Sequence, residues 1–354
     1  MAALALVPSM AQAAAPPGFV GLQSWNDPTK TNFAGMKNSK VSTFRMQLSW
    51  ASVEPNKPVG GCDSANGCKH EPYRWGRYDA IFINAARNGV RVMPVLLGSP
   101  SWAASKQQNP PMHPSHRQAF YDFAEAAADR YGPSSSFWRD RGLNGAAVGG
   151  RDWQVWNEVN LKNYWNNRPS PTQYNAMVRG TYDAVRAGDA ATTTVLAGLP
   201  WSEQASQTPP DFWRSMFKAD PRIFKYFSSF AIHPYARTPS LAVDSGVRPA
   251  ARTVRSLTPT YKRRLWITEM GWATPRPDGR FEVSESLQAS NLKSFYDKLL
   301  AIRTPDRLNG AIWFSLQDKS GAEWYNRTGL LKANGSTKPS WARLKCVTGA
   351  PGCK

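Results

Sequence analysis

The stretch DWQVWNE, residues 152–158, combines a short apolar run with an acidic residue at its carboxyl end. Seven other runs of apolar and β-branched residues occur along the chain. Segments with helical periodicity lie between them, and Pro and Ser at their beginnings are typical helix-start signals. The eight runs cover residues 19–25, 42–50, 91–98, 152–158, 192–200, 228–235, 264–272 and 308–318, and the clearest helical segments cover 73–88, 115–131, 171–187 and 284–302.

This alternation predicts an α/β fold in which parallel strands are joined by helical crossovers. An open, doubly wound sheet is the competing arrangement. The count of eight strands, and the lack of a glycine-rich phosphate turn after the first run, favour a closed (β/α)8 TIM barrel. The chain of 354 residues has a suitable length for one such domain over residues 16–354. Functional residues of such barrels lie at the carboxyl ends of the strands.

Two glutamates stand at predicted strand ends. Glu158 closes the fourth run, and Glu269 follows the apolar part of the seventh. A carboxylate directly after an apolar strand is costly to bury unless it is paired or functional. Glycosidic cleavage needs one carboxyl group that gives up a proton and one that attacks the anomeric carbon or activates water. Two glutamates on one barrel rim supply both groups.

The ordered motifs around these glutamates resemble clan A of the glycoside hydrolases, with family 39 as the best match and family 5 next. Members of the clan carry Asn-Glu after the fourth strand and Glu after the seventh, as Asn157, Glu158 and Glu269 do here. Other matching residues lie at the ends of further strands: Arg45, His233, Tyr235 and Trp313. The insert that carries Cys62 and Cys68 departs from the usual short connection, so the resemblance does not extend to loop specificity.

The resemblance implies double displacement with retention of configuration, with Glu269 as nucleophile and Glu158 as general acid/base. Arg45 and Tyr235 are expected to keep Glu269 ionised, the first by charge and the second by hydrogen bonding. Asn157 is expected to donate to the sugar 2-hydroxyl, a contact that strengthens in the transition state. In a retaining enzyme the two carboxyl groups lie about 5 to 5.5 Å apart, against about 6.5 to 9.5 Å for inversion.

Aromatic residues and His233 are further candidates for the site. Side chains two apart on a strand face the same way, so His233 and Tyr235 are both expected to line the pocket, although His233 could instead be structural. Trp313 is expected to form the floor of the subsite for the reacting sugar, with core packing as the alternative. Tryptophans near other strand exits could form flanking subsites or belong to the core: Trp25, Trp50, Trp102, Trp165, Trp272 and Trp324.

The net charge of +19 favours a polyanionic partner. An acidic or cell-wall glycan fits this charge, whereas the sequence shows no nucleic-acid module, zinc spacing or dense basic run. We therefore expect a carbohydrate polymer as partner and no nucleic acid. No metal or organic cofactor is expected, because side chains supply the acid, base and nucleophile. The barrel buries its own core, so a monomer is expected.

Several features indicate export. Residues 1–15 look like the end of a secretory signal, with Ala11-Gln12-Ala13 as a small-residue cleavage site. No run approaches the roughly 18 to 20 apolar residues that span a bilayer. The four cysteines form two pairs, and the members of each pair are close in sequence. This spacing predicts the loop disulfides Cys62–Cys68 and Cys346–Cys353. The predicted location is extracellular.

The leading hypothesis is an endo-acting hydrolase of a β-linked glycan. A transglycosylase would use the same two glutamates but transfer the sugar to another glycan. A non-catalytic carbohydrate-binding barrel at the cell wall is a third hypothesis, although such proteins usually lack one catalytic carboxylate. A basic nucleic-acid binder is a fourth, suggested by the charge alone.

Overall fold

The computed structural model describes the backbone of residues 13–63, 67–274 and 281–353, and the side chains of these ranges apart from 60–63 and 67–69. The predicted secretory segment 1–15 lies outside the described residues except for its last three. It therefore stays a prediction.

In the described part of the chain, ten strands form two sheets. They are β1 (Val20–Gln23), β2 (Thr43–Ser49), β3 (Val59–Asp63), β4 (Gly67–Lys69), β5 (Arg91–Leu97), β6 (Asp152–Val155), β7 (Thr193–Pro200), β8 (Ser229–His233), β9 (Arg264–Met270) and β10 (Leu308–Phe314). Eight of them pair in parallel and close a barrel in the order β1-β10-β9-β8-β7-β6-β5-β2. Strands β3 and β4 form a separate antiparallel hairpin. The predicted single-domain (β/α)8 barrel is confirmed, and the open sheet is excluded.

Helices lie between successive barrel strands, and one more follows the last strand. They are α1 (Lys30–Asn38), α2 (Trp50–Val53), α3 (Gly76–Arg87), α4 (Pro114–Tyr131), α5 (Ser136–Arg139), α6 (Gly145–Val148), α7 (Pro171–Gly188), α8 (Pro209–Ala219), α9 (Pro239–Leu241), α10 (Arg248–Leu257), α11 (Glu285–Ile302) and α12 (Pro339–Thr348). Short 3₁₀ turns cover Lys162–Tyr164, Ile223–Tyr226 and Trp324–Arg327, and a π-helix covers Ala242–Val247. Helix α7 shows why the start signals work: the Ser170 side chain accepts from the Gln173 amide, and Pro171 has no amide hydrogen to satisfy.

The barrel interior is divided into an apolar and a polar half. Its amino-terminal half holds an apolar cluster of Met93, Val195, Ala231, Trp266 and Ile312. The main core lies outside the strands, where their other faces pack against the helices. Since this apolar cluster occupies the amino-terminal half of the barrel, the inward polar side chains meet at the carboxyl ends of the strands.

A disulfide joins Cys346 in α12 to Cys353, as predicted, with 4.5 Å between the Cα atoms. The backbone of the β3–β4 hairpin places Cys62 opposite Cys68. The side chains of that second pair lie outside the described residues, so its disulfide stays a prediction. Within the described ranges, no helix has the length and apolar character needed to cross a membrane.

Replacing both Cys346 and Cys353 by Ser is expected to lower the free energy of unfolding by about 2 kcal/mol, because the bond joins residues only seven positions apart and so closes a short loop. Denaturant titration followed by tryptophan fluorescence measures this change. An unaltered transition midpoint would show that the bond does not restrain the unfolded chain.

Candidate active site

A buried arginine organises the carboxyl end of the barrel. Arg45, on β2, is 1% exposed. Its Nε donates to Gln154 Oε1 at 2.6 Å and its Nη2 to Asn157 Oδ1 at 2.8 Å. Its Nη1 donates to Gln23 Oε1 and to Glu269 Oε1, the latter at 2.5 Å. A guanidinium can be buried at this depth because acceptors from several strands satisfy it.

A β-bulge turns Glu269 toward the barrel interior. In the pairing of β9 with β10, one extra residue is present on β9 between Ile267 and Met270. Thr268 and Glu269 therefore both face inward: the first contacts His233 at 3.0 Å and the second contacts the central arginine. Bulges commonly re-aim side chains next to active sites. Strict alternation would have directed one of the two side chains outward.

The surroundings of Glu269 stabilise its ionised form. Burial alone would raise the pKa of this carboxyl, which is 9% exposed, but the positive charge of Arg45 and the hydrogen bonds from Arg45 and Tyr235 act in the opposite direction, and the pKa is lowered. The Tyr235 hydroxyl donates to Glu269 Oε2 at 3.1 Å. Burial and the nearby carboxylates hold the pKa of Tyr235 well above its usual range, which keeps it a donor. An ionised carboxylate in this position can act as a nucleophile.

Glu158 lies on a backbone segment of unusual conformation just beyond β6. The strand ends at Val155, three residues earlier than the sequence pattern indicates. Trp156 has φ 64° and Glu158 has φ 45°, both in the left-handed region that side chains other than glycine rarely adopt. The Glu158 amide donates to the Gly198 carbonyl at 3.1 Å, which anchors the segment. Such conformations cost about 1–3 kcal/mol each and cluster at functional sites.

The two glutamates approach each other on either side of His233. The Nδ1 atom of His233 lies 2.9 Å from Glu158 Oε1 and 3.7 Å from Glu269 Oε2. One carboxylate oxygen of each glutamate and this nitrogen lie within 4.8 Å of one another. Both carboxylates therefore reach the same point of the barrel rim, where a single bond of a substrate can lie between them.

A cavity of about 640 Å³ opens above the glutamates. Its lining is rich in carboxamides, namely Gln23, Gln47, Gln107, Gln108, Asn157, Asn163 and Gln204. It is also rich in aromatic rings, among them Trp25, Trp201, Phe281, Phe314, Trp324 and Tyr325. Carboxamides can both donate to and accept from hydroxyl groups, and aromatic rings can cover the apolar faces of sugars.

The structure corrects the expected position of Trp313. Along β10, Ile312 belongs to the cluster inside the barrel and Phe314 lines the cavity. Trp313 lies between them and faces outward into the main core, where it is 1% exposed and its Nε1 donates to the Thr328 carbonyl at 3.0 Å. Because side chains alternate along a strand, Phe314 takes the place in the cavity wall that was expected of Trp313.

Several of the other tryptophans also belong to the core. Trp272 is fully buried, and its Nε1 donates to the carbonyls of Ala236 and Arg237. Trp102 lies outside the cavity lining and packs edge-on against Trp50, with 5.0 Å between ring centroids. The core alternative holds for these residues and for the buried Trp165. Their expected role as subsites is therefore corrected.

Two of the expected subsite tryptophans do line the cavity. The Trp25 Nε1 donates to the Tyr325 carbonyl at 3.2 Å, and its ring lies 5.1 Å from that of Phe314. The Trp324 ring lies 5.1 Å from that of Tyr235 and 4.7 Å from that of Phe281. These rings form one aromatic wall.

Some residues of the site were not expected from the sequence. Tyr164 lies on a 3₁₀ turn in the loop after β6 and hydrogen-bonds Asn157; burial and the two glutamates raise its pKa. Trp201 lines the cavity after β7. Such loops carry no periodic pattern that could reveal them. Gln154 did leave a signal, because it is a polar residue inside an apolar run.

Replacing Trp324 by Ala is expected to weaken glycan binding about tenfold, because the ring forms part of the cavity wall beside Tyr235. Isothermal titration with an oligosaccharide that the protein binds measures the change. Trp102→Ala is the matched control, since it removes a partly exposed indole outside the cavity. Equal losses in both variants would contradict the assignment of the wall.

Comparisons with solved structures place the fold among glycoside hydrolases. A family 39 glycoside hydrolase from the gut symbiont Bacteroides cellulosilyticus superposes with a TM-score of 0.68 at 18% identity, over 94% of this chain and 64% of that chain. A monomeric β-xylosidase from Caulobacter crescentus gives 0.67 at 16%, over 94% and 69%. An endo-β-1,4-glucanase from Xanthomonas axonopodis pv. citri gives 0.59 at 14%, over 94% and 99%.

These similarities establish the fold, and they confirm the expected likeness to family 39 at that level. This chain spans 64% of the length of the Bacteroides enzyme. No protein-family model matches the sequence, and no curated protein matches it either.

Proposed function

We propose that this protein hydrolyses O-glycosidic bonds by double displacement, with Glu269 as nucleophile and Glu158 as general acid/base. The observation that carries the proposal is the approach of the two carboxylates, whose nearest oxygens lie within 4.8 Å on the same barrel rim. Glycoside hydrolases among the structural neighbours support the same chemistry. Glu269 is contacted by Arg45 and Tyr235, whereas Glu158 is contacted by His233. These unlike surroundings support different roles for the two carboxyl groups.

In the first step, Glu269 attacks the anomeric carbon while Glu158 gives its proton to the leaving oxygen. The bond from the anomeric carbon to that oxygen breaks, and a covalent glycosyl ester forms on Glu269. Arg45 and Tyr235 hold the attacking carboxylate in place through its two oxygens. Asn157, which lines the cavity, is in position to donate to the sugar 2-hydroxyl.

In the second step, the ionised Glu158 takes a proton from water. The oxygen of this water attacks the anomeric carbon, and the ester bond to Glu269 breaks. The sugar leaves with its original configuration. A glycan acceptor in place of water would make the protein a transglycosylase. Analysis of products at high substrate concentration separates the two outcomes.

The cavity supports a neutral, extended β-linked glycan as substrate. Among its lining residues in the described part of the chain, carboxamides and aromatic rings predominate and no Lys or Arg occurs. An acidic sugar would bring its carboxylate close to the two glutamates without a cation in that lining to pair with it. Although the net charge of the chain is +19, the described lining of the cavity carries no positive side chain that would favour an acidic glycan. The aromatic wall supports endo-action on a chain of several sugars.

The protein is further proposed to act as a secreted monomer without a cofactor. The Cys346–Cys353 disulfide supports an oxidising compartment. The proposed chemistry needs only side chains, since the nucleophile and the acid/base are both carboxyl groups.

Replacing Glu158 by Ala is expected to lower turnover of an aryl β-glycoside by about 10²-fold or more, and added azide is expected to restore it. Azide can attack the covalent intermediate without a general base, so rescue locates the defect in the second step. The substrate is selected from a panel of neutral and uronic aryl glycosides and polysaccharides, tested with the unaltered protein.

The stereochemistry of the products provides the second readout. Proton NMR during early turnover is expected to show retention of configuration. Azide rescue together with a glycosyl azide of the same anomeric configuration as the substrate would identify Glu158 as acid/base in a retaining reaction, because azide attacks the covalent intermediate and inverts the anomeric carbon a second time. Inverted hydrolysis products, or Glu158→Ala with unaltered turnover, would contradict the proposal.

A further inference from the structure

A continuous hydrogen-bonded chain connects the two carboxylates beneath the cavity. Its members, in order, are Glu269, Arg45, Gln154, Thr268, His233 and Glu158. The four inner members are at most 1% exposed. Because these side chains are shut off from water, each of their hydrogens needs an acceptor within the protein.

Only one orientation of the Gln154 amide satisfies its neighbours. Its Oε1 lies 2.6 Å from Nε of Arg45, which can only donate, and its Nε2 lies 2.9 Å from the Leu196 carbonyl oxygen, which can only accept. The second amide hydrogen is available to Oγ1 of Thr268, 3.4 Å away. Gln154 therefore donates to the threonine hydroxyl and does not accept from it.

The Thr268 hydroxyl in turn decides which nitrogen of His233 is bare. It accepts from Gln154 and lies 3.0 Å from Nε2 of the imidazole. If Nε2 carried a hydrogen, the hydroxyl would accept twice, and its own hydrogen would lack an acceptor among the described residues. If Nε2 is bare, the hydroxyl donates to it and both groups are satisfied. In neutral His233 the hydrogen then resides on Nδ1.

Gly198 on β7 leaves the room that this contact needs. A Cβ atom at this position would lie 2.0 Å from His233 Nε2 and 2.4 Å from Thr268 Oγ1. Any side chain here would push the imidazole and the hydroxyl apart. The contact between the hydroxyl and the imidazole therefore requires a residue without a side chain at this position.

We infer that Gln154 and Thr268 are positioning residues that hold His233 as its neutral Nδ1–H tautomer. The Nδ1–H group then donates to Glu158 Oε1 over 2.9 Å, and the proton of the carboxylic acid resides on Oε2, where a leaving oxygen can receive it. The catalytic part of this inference rests on the proposed acid/base role of Glu158. The tautomer itself does not.

The opposite tautomer would obstruct the proposed reaction. A bare Nδ1 facing Glu158 would accept the proton of the carboxylic acid in a hydrogen bond, so that proton would point at the imidazole and away from the substrate. It would also favour the protonated form of Glu158 and oppose its ionisation. The hydrogen-bonded chain from Arg45 to Thr268, which begins at the nucleophile, thus fixes the orientation of the acid/base.

The first experiment reads the tautomer directly and needs no substrate. Protein labelled with ¹⁵N-histidine is measured at about pH 7 by a long-range ¹H–¹⁵N correlation, in which bare and protonated ring nitrogens resonate far apart. The chain has four histidines, so the loss of signals in His233→Phe assigns those of His233. We expect a protonated Nδ1 and a bare Nε2. An Nε2–H tautomer or an imidazolium ion would overturn the inference.

The second experiment compares Thr268→Val, which removes the hydroxyl at similar shape, with Thr268→Ser, which keeps it. The valine variant is expected to show a mixture of tautomers. Its kcat/KM should fall about tenfold, and the basic limb of its pH profile should move to higher pH. The serine variant should keep the unaltered tautomer and profile. A purely structural Thr268 would lower the thermal stability of the valine variant and change neither readout, which would overturn the inference.

Failure of the proposed function gives a different result. If Glu158→Ala keeps its turnover, the acid/base role is contradicted while the NMR measurement of His233 still stands. If Glu158 behaves as proposed but the serine and valine variants are indistinguishable, only the positioning role is contradicted.

Discussion

Replacing Glu269 by Gln is expected to lower kcat by about 10⁴-fold or more, because the amide cannot form the covalent glycosyl ester. The two side chains have nearly the same shape. Arg45 can still donate to the amide oxygen, and the Tyr235 hydroxyl can turn to accept from the amide NH2 group. The loss should therefore appear in kcat, with a much smaller effect on glycan binding. Steady-state kinetics on the selected aryl glycoside measures the first, and titration calorimetry measures the second.

Mass spectrometry provides an independent test of the nucleophile. A 2-deoxy-2-fluoro glycoside with a good leaving group is expected to add one sugar to the unaltered protein and none to Glu269→Gln, and peptide mapping should locate the label on Glu269. Glu125→Gln is the matched control, because this exposed residue of α4 lies outside the cavity lining. A label on another residue would exclude Glu269 as the nucleophile.

The barrel could be predicted because each of its strands carries a local signal. Short apolar runs alternate with helical segments, and one run such as 152–158 already shows both the strand and the carboxylate beyond it. The position of Glu269 at the rim follows from the same pattern. These properties depend on residues close in sequence, which is why periodicity detects them.

The exact direction of side chains depends on contacts that periodicity does not report. The bulge that turns Glu269 inward exists only in the pairing of β9 with β10. The choice between Trp313 and Phe314 required knowledge of which face of β10 meets the barrel interior. Gly310 and Ile312 are two residues apart and both face the barrel interior. Because side chains alternate along a strand, Phe314 is the next residue on that inner face. Tyr164 and Trp201 are placed by irregular loops, for which no such rule exists.

Replacing Arg45 by Met is expected to have the second-largest effect on activity and the largest on stability. The change leaves acceptors of Gln23, Gln154, Asn157 and Glu269 without their shared donor. Removing one partner of a buried ion pair costs about 3–5 kcal/mol of unfolding free energy. Loss of the charge and hydrogen bond on the nucleophile should lower kcat/KM by about 10²-fold or more.

The pH dependence of Arg45→Met follows from the pKa of Glu269, which Arg45 helps to lower. A lowered folded-state pKa adds stability that is present above the unfolded pKa and lost as pH falls through the folded one. Without Arg45 the pKa rises, so this stability shrinks. The acid limb of kcat/KM, which follows ionisation of the nucleophile, should move to higher pH.

Arg45→Lys separates charge from geometry, because an ammonium keeps the charge but cannot reproduce the planar fork that serves four acceptors. It should recover part of the acid-limb position and little of the stability. Arg77→Met is the matched control, since this exposed arginine pairs with Asp27 at the surface, where a pair contributes roughly 0–1 kcal/mol. Denaturant titrations and pH–rate profiles of the three variants give the comparison. An Arg45→Met protein with unaltered stability and acid limb would show that Glu269 does not depend on the arginine for its ionisation.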